Sequence, residues 1–260
     1  RRILMTAKSK LIVAENVEQA YQKYRQLRLE VDAWRQERGS YWQASLSMSD
    51  ESPYLPISEL PQDAIIELWQ RLNLSAKVEI NDSDLWEMWE QLKSGNNMME
   101  AEIATRLQIA VNGVAKLASQ TVNEKGVPEQ KYNPRSSEHP EKSVVACPVC
   151  GEISILAVLT APDGKRVMHC NTCNFEWPVQ RTGCLYCGSE DSKKLFYLKN
   201  EAFPGIEMGV CQVCGQYFKE IDGRMLYAAD YFWEDMRTLP LNYATERWIE
   251  EQVRKDNQIN

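Results

Sequence analysis

All eight cysteines of this 260-residue chain lie between residues 143 and 227, and each belongs to a Cys-x-x-Cys pair: Cys147/Cys150, Cys170/Cys173, Cys184/Cys187 and Cys211/Cys214. Two residues between thiols let both sulfurs of one turn point at the same ion, and two such turns supply the four ligands of a tetrahedral site. Eight thiolates therefore predict two closed sites for two mononuclear metal ions, and sulfur-only tetrahedral donors accept zinc or iron. Pairing the first turn with the second and the third with the fourth keeps each closed loop near 20 residues. An interleaved pairing is the alternative, at a greater loop-closure cost.

The residues around the pairs predict a ribbon repeated twice. Cys147-Pro148-Val149-Cys150-Gly151 reads as a metal-binding knuckle, with glycine relieving the tight backbone after the second cysteine. Ile153 to Thr160 reads as a strand, Pro162-Asp163-Gly164 as a turn, and Arg166 to His169 as the strand returning to Cys170 and Cys173. The pattern recurs with Cys184 to Gly188, strands at Lys194 to Leu198 and Ile206 to Val210, and Cys211 to Gly215. Asp222-Gly223 predicts one further hairpin, between Tyr217 to Ile221 and Arg224 to Ala228.

A closed tetrathiolate site leaves no coordination position for substrate or activated water, so its default role is structural. Thiol redox chemistry is the sharper alternative, but it calls for a Cys-x-x-Cys at a helix start near a βαβ unit, a pattern not visible here. The chain has two histidines. His169, beside Cys170, could serve as a fifth ligand or a proton donor to sulfur; an orienting or partner-facing side chain is the plainer reading. His139 reads as a solvated loop residue. No glycine-rich phosphate loop, metalloprotease motif or nucleophile elbow competes with the cysteines, so no catalytic or organic-cofactor residues are assigned.

The N-terminal half is helical by period. Val17, Tyr21, Tyr24, Leu27, Val31 and Trp34 recur at spacings of four and three, with Gly39-Ser40 as a stop. Ser45 to Pro56 reads as a loop. Pro61 opens a second helix with Ile65, Ile66, Trp69 and Leu72. Asn81-Asp82-Ser83 caps a third carrying Leu85, Trp86, Trp89 and Leu92, and a fourth begins near Asn97 and runs past Leu117. Trp69, Trp86 and Trp89 could line a ligand pocket, but aromatics at helical spacing are by default core. Residues 122–142, with Gly126, Pro128, Pro134 and Pro140, read as a linker.

The resulting expectation is an α+β protein: an N-terminal α-helical bundle, two rubredoxin-like or zinc-ribbon modules, and a C-terminal helix. Its boundaries are a helical domain at 1–121, a linker at 122–142, ribbons at 143–183 and 184–228, and a helical segment at 229–260. The formal charge of −7 and pI near 5.1 argue against general attraction to nucleic acid or anionic membrane. Residues 143–227 hold eight Lys/Arg against nine Asp/Glu, which leaves a nucleic-acid-binding ribbon as the last-ranked reading. No apolar run approaches the ~20 residues of a membrane span, and Arg1 to Lys10 lacks the apolar core of a signal peptide. The start at Arg1 rather than methionine suggests a processed or trimmed terminus. Cysteines clustered for metal, with none elsewhere, fit a reducing compartment, so a cytoplasmic protein is expected.

A named resemblance adds to this reading. His169-Cys170-Asn171-Thr172-Cys173, Glu176-Trp177 just beyond, Tyr217-Phe218-Lys219 after the last pair, and the Thr238-Leu239-Pro240-Leu241 tail together resemble the formate dehydrogenase accessory protein family, FdhE. The resemblance covers roughly residues 140–250 by motif and departs at Pro178, where relatives often carry histidine. It implies a cytoplasmic, non-catalytic factor that contacts the catalytic subunit of formate dehydrogenase before export or assembly. It also implies metal, reported as iron in some members, on Cys147, Cys150, Cys170, Cys173, Cys184, Cys187, Cys211 and Cys214. An electron-transfer or thiol-redox protein acting on that dehydrogenase is the alternative, and a homodimer is compatible with the chain.

Overall fold

The computed structural model describes residues 7–95, 99–126 and 144–259, with side chains described over 16–95, 99–126 and 144–254. It divides into two compact units, one of Arg1–Ser47 with Ser58–Thr121 and the other of Met48–Ile57 with Val122–Asn260. The expected α+β order is observed: N-terminal helices, a sheet region carrying the cysteines, then C-terminal helices.

The first unit is built from α1 (Ala7–Gln43), α2 (Gln62–Ser75), α3 (Asp82–Lys93) and α4 (from Ala101, ending at Lys125). Helix α1 runs through Gly39, where a stop was expected; the glycine keeps a helical backbone and lies near Leu117, a Cβ there standing at an ordinary contact distance of 3.4 Å from its Cδ2. Val31, Trp34, Leu68, Trp69, Leu72, Leu85 and Val114 are buried, and Trp34 Nε1 donates to Glu67 Oε1 at 2.7 Å. Trp69 is core, with its Nε1 donating to the Ile103 carbonyl at 3.3 Å, whereas Trp86 and Trp89 are half-buried on α3. Asn81 caps α3 as expected, its Oδ1 accepting from Asp84 N at 2.9 Å. The expected start of the fourth helix at Asn97, the linker prolines Pro128, Pro134 and Pro140, and His139 lie outside the described residues.

In the second unit the strands are β1 (Leu156–Leu159), β2 (Arg166–His169), β3 (Glu176–Pro178), β4 (Leu195–Lys199), β5 (Ile206–Cys211) and β6 (Tyr217–Asp222). The two ribbons join edge to edge in one six-stranded sheet of order β3-β2-β1-β6-β5-β4. The seam is the parallel pairing of β1 with β6, Leu156 opposite Lys219 through Leu159 opposite Asp222. This explains why Arg224 to Ala228 forms no strand, contrary to expectation. Both edges of β6 are already taken, by β5 and β1, so a further hairpin partner would have no free ladder. Gly223 instead brings its backbone against the end of β1, donating to the Leu159 carbonyl at 2.9 Å, where a Cβ would stand 2.8 Å from that oxygen.

One sheet face packs Leu156, Ile206, Met208 and Ile221 beneath Leu241 of α6 (Leu239–Ile259). The opposite face carries two features that composition does not show. Phe218 lies across Gly209, its register partner on β5, with Tyr197 edge-on at 6.2 Å. Arg166, wholly buried, stacks 4.5 Å over the Phe218 ring and donates to the Gly183 carbonyl at 3.2 Å, just before the third knuckle. Its Nε also lies 2.9 Å from Glu220 Oε2, an ion pair whose angle falls outside hydrogen-bond geometry. Arg166 thereby ties the strand of the first ribbon to the entry of the second.

A Cβ at Gly209 would stand 2.2 Å from Phe218 Cζ. Gly209→Ala is therefore expected to displace the ring from beneath Arg166 and cost about 1–3 kcal/mol by overpacking, read as a lower midpoint in urea unfolding. An unchanged midpoint would show that the ring can move aside freely.

Candidate metal centre

Each of the four Cys-x-x-Cys turns closes with the same two backbone hydrogen bonds. The N–H of the first cysteine donates to the carbonyl five residues on: Glu152, Phe175, Ser189 and Gln216, at 2.8–2.9 Å. The N–H four residues on, from Gly151, Asn174, Gly188 or Gly215, donates back to that cysteine's carbonyl at 2.9, 2.8, 3.0 and 2.8 Å respectively. That last residue takes a left-handed backbone in every turn, with φ of 81°, 59°, 68° and 72°. Glycine suits this conformation without a steric penalty, and asparagine is among the residues that tolerate it. The local sequence thus dictates four copies of one turn, each presenting two sulfurs on the same side.

The sheet then brings the turns together in pairs. Cys147, Cys150, Cys170 and Cys173 form one cluster and Cys184, Cys187, Cys211 and Cys214 the other, with all four sulfurs of each within 4.8 Å of one another. This is the sequential grouping. The sulfurs of Cys147 and Cys173, and of Cys150 and Cys170, are 3.5 Å apart; Cys184 to Cys214 is 3.7 Å and Cys187 to Cys211 is 3.8 Å. A disulfide would need about 2.05 Å, and all eight cysteines are free. A tetrahedron of ~2.3 Å metal–sulfur bonds has an edge of about 3.8 Å, so the spacing matches a tetrathiolate cage.

The electrostatics point the same way. Burial pushes the Cys147 and Cys173 thiols up, while hydrogen bonds from Cys147, Cys150 and Cys173 pull the Cys170 thiol down. In the second cluster burial raises Cys184 and lifts Cys214 to about 11. Protons alone therefore let a buried cluster keep only part of its sulfur ionised. A divalent cation would deprotonate all four by direct coordination, and each group could hold one.

His169 belongs to neither cluster. Its buried ring places Nδ1 3.0 Å from Glu176 Oε1 and packs on Tyr231 at 4.7 Å between centroids, so the orienting reading fits and the fifth-ligand reading does not. Tyr231 opens α5 (Tyr231–Arg237), a helix capped by Asp230 that the sequence reading did not separate from the tail. Asn171, inside the second knuckle, donates to Asp235 Oδ2 of α5 at 2.7 Å. Asp235 Oδ1 in turn accepts from the wholly buried Lys219 on β6, which also reaches Thr238 Oγ1 at 2.9 Å and the Asp235 carbonyl at 3.1 Å.

A second contribution was also missed. Residues 48–57, which overlap the expected loop Ser45 to Pro56, lie on the first knuckle: Tyr54 N donates to the Pro148 carbonyl at 3.0 Å and Leu55 N to the Val149 carbonyl at 2.8 Å. Its signal was Tyr54-Leu55 between two prolines, an apolar pair in a polar stretch, and both side chains are buried. Trp177 completes this surround, donating from Nε1 to the Val144 carbonyl at 2.8 Å and so pinning the chain as it enters the first knuckle.

Fold and site together define a class: an α+β protein whose six-stranded sheet carries two tetracysteine clusters of metal-binding geometry. Comparison with known proteins narrows it. Residues 146–181 match the family model "FdhE, central domain". The chain is 32% identical over 109 residues to the FdhE homologue of Aquifex aeolicus strain VF5, covering 41% of this chain and 37% of that protein. It is 35% identical over 109 residues to the FdhE protein of Salmonella choleraesuis strain SC-B67, covering 39% and 33%. The chain thus spans only about a third of the length of these curated relatives in the matched region. The crystal structure of the FdhE protein from Pseudomonas aeruginosa has a TM-score of 0.57 at 19% identity, covering 84% of this chain and 74% of that one, and shares the fold. The resemblance to the FdhE family read from the sequence is borne out by these matches.

Proposed function

We propose that the protein is a non-catalytic maturation factor that binds the catalytic subunit of formate dehydrogenase in the cytoplasm and assists formation of active enzyme. In this reading Cys147, Cys150, Cys170 and Cys173 ligate one metal ion and Cys184, Cys187, Cys211 and Cys214 a second, zinc or iron in each case. The observation that carries it is the position of the FdhE central-domain match, residues 146–181, which contains the whole first cluster. The absence of any open coordination position in a four-sulfur cage supports a scaffold role for the ions, which would hold the knuckles and the elements seated on them in one arrangement.

The test is direct binding. The metal-loaded 260-residue chain is expected to retain the immature catalytic subunit in a pull-down and to show saturable binding by calorimetry. Loss of the signal after metal removal would tie binding to the clusters. Folded, loaded protein that does not bind the subunit sinks the assignment. A reversible reduction wave in iron-loaded protein would favour the electron-transfer alternative, because zinc offers no second oxidation state.

A further inference from the structure

The two clusters share one turn geometry but differ in their surroundings. All four cysteines of the first are buried; in the second Cys184 and Cys211 are buried while Cys187 and Cys214 are only half-buried. The first is enclosed from several directions. Residues Tyr54 and Leu55 hydrogen-bond across Pro148-Val149, Asp235 holds Asn171 between Cys170 and Cys173, and Trp177 pins Val144. The tip of the fourth knuckle is bare by contrast: Val213, between Cys211 and Cys214, is 56% exposed. Its backbone tie is the Gln212 N–H to the Lys194 carbonyl at 2.8 Å, at the foot of the edge strand β4.

We infer that the second cluster is an exchange site: through Cys187 and Cys214 it takes up and releases a soft divalent cation in contact with solvent, while the first cluster retains its ion. The inference rests on the reading that both clusters hold metal. Exchange of a tetrathiolate ion is associative. A competing donor, a thiolate or a heteroaromatic nitrogen, must bring its lone pair within bonding distance as one cysteine sulfur leaves. The departing Cys214 thiolate then takes a proton from water, and no electrons are transferred. At Cys187 and Cys214 the donor approaches from solvent directly. At the first cluster the surrounding segments must open first, so exchange there is limited by local unfolding. The same asymmetry governs electrophiles, since thiol reactivity follows exposure as well as ionisation.

The experiment uses the 260-residue chain reconstituted with zinc to two equivalents and challenged with excess pyridylazoresorcinol, a chromogenic zinc chelator. Two release phases of equal amplitude are expected, the faster by about tenfold or more, as partially exposed thiolates are the reactive ones. In Cys214→Ser the fast equivalent should be missing or released within the mixing time, with the slow phase unchanged. A short pulse of N-ethylmaleimide on wild-type protein, mapped by peptide mass spectrometry, should label Cys187 and Cys214 before Cys147, Cys150, Cys170 and Cys173. The labelling decides the matter even if the variant does not fold. A single release rate, or first-cluster cysteines labelling together with or ahead of the second, overturns the inference. Failure to load two equivalents at the outset instead refutes the metal reading on which it stands.

Discussion

Replacing Cys173 by serine is expected to release the first metal ion and unfold the sheet-bearing unit. Cys173 is completely buried at the closing corner of the cluster, 3.5 Å from Cys147 Sγ. A serine oxygen there is a poorer donor for a soft cation and sits on a shorter bond, so the cage loses one of its four arms. Structural zinc contributes roughly 10–16 kcal/mol of apparent folding energy in small domains, whereas a whole domain is stable by only about 5–15 kcal/mol. The loss therefore rivals the entire stability of the unit. Metal analysis should fall from two equivalents to one or none, and β-sheet circular dichroism should lose its cooperative thermal transition. A Cys173→Ser protein that keeps two equivalents and a wild-type melting temperature would show that this cluster is not a structural metal site.

Asp235→Ala is expected to cost about 3–5 kcal/mol, the range for removing one partner of a buried ion pair. Lys219 is completely buried, and with Asp235 gone its ammonium keeps only the Thr238 hydroxyl and a backbone carbonyl. Helix α5 has no fully buried side chain, so this polar seat, with Asn171, carries much of its attachment. The loss also has a pH signature. Burial lowers the Lys219 pKa below its ordinary 10.5, and Asp235 is the main influence raising it again. Between the depressed folded value and 10.5 the unfolded chain binds more protons, so stability contributed by this group rises with pH across that window. Removing Asp235 lowers the folded value further and widens the window. The variant should therefore lose less stability at alkaline than at neutral pH in urea unfolding, while a Lys219→Met, Asp235→Ala double variant should show no such difference. Equal losses at both pH values would mean that Lys219 finds another anion.

Much of the site was legible because its information is local. A Cys-x-x-Cys turn with glycine behind it sets its own backbone, and the strands on either side follow from alternation and turn residues within a dozen positions. The observed β2, Arg166–His169, has the expected bounds, and β5 differs from expectation by one residue. Asn174 was the one knuckle residue of this kind without a glycine signal, yet it adopts the same left-handed backbone. The misses share a different cause. The Asp222-Gly223 pair carries a hairpin signal, but Gly223 serves a close approach to Leu159, which depends on a strand over sixty positions away in sequence. Gly39 carries a stop signal, but α1 continues through it to Gln43, within a unit where α1 packs on α2.

The sequence by itself determined the eight donor sulfurs, their turns and the presence of a helical half, because ligand spacing and hydrophobic period act over a few residues. The tertiary structure alone decided that β1 and β6 pair in parallel and merge two ribbons into one sheet, and that Arg166, Lys219 and Glu220 are buried charges. It also decided that one cluster is buried at all four cysteines while the other leaves Cys187 and Cys214 half-buried. Backbone ladders are chemically alike, so which strand meets which is settled by long-range packing. Enclosure of a site belongs to the segments that come to lie on it, and residues 48–57 and α5 reach the first knuckles from far along the chain.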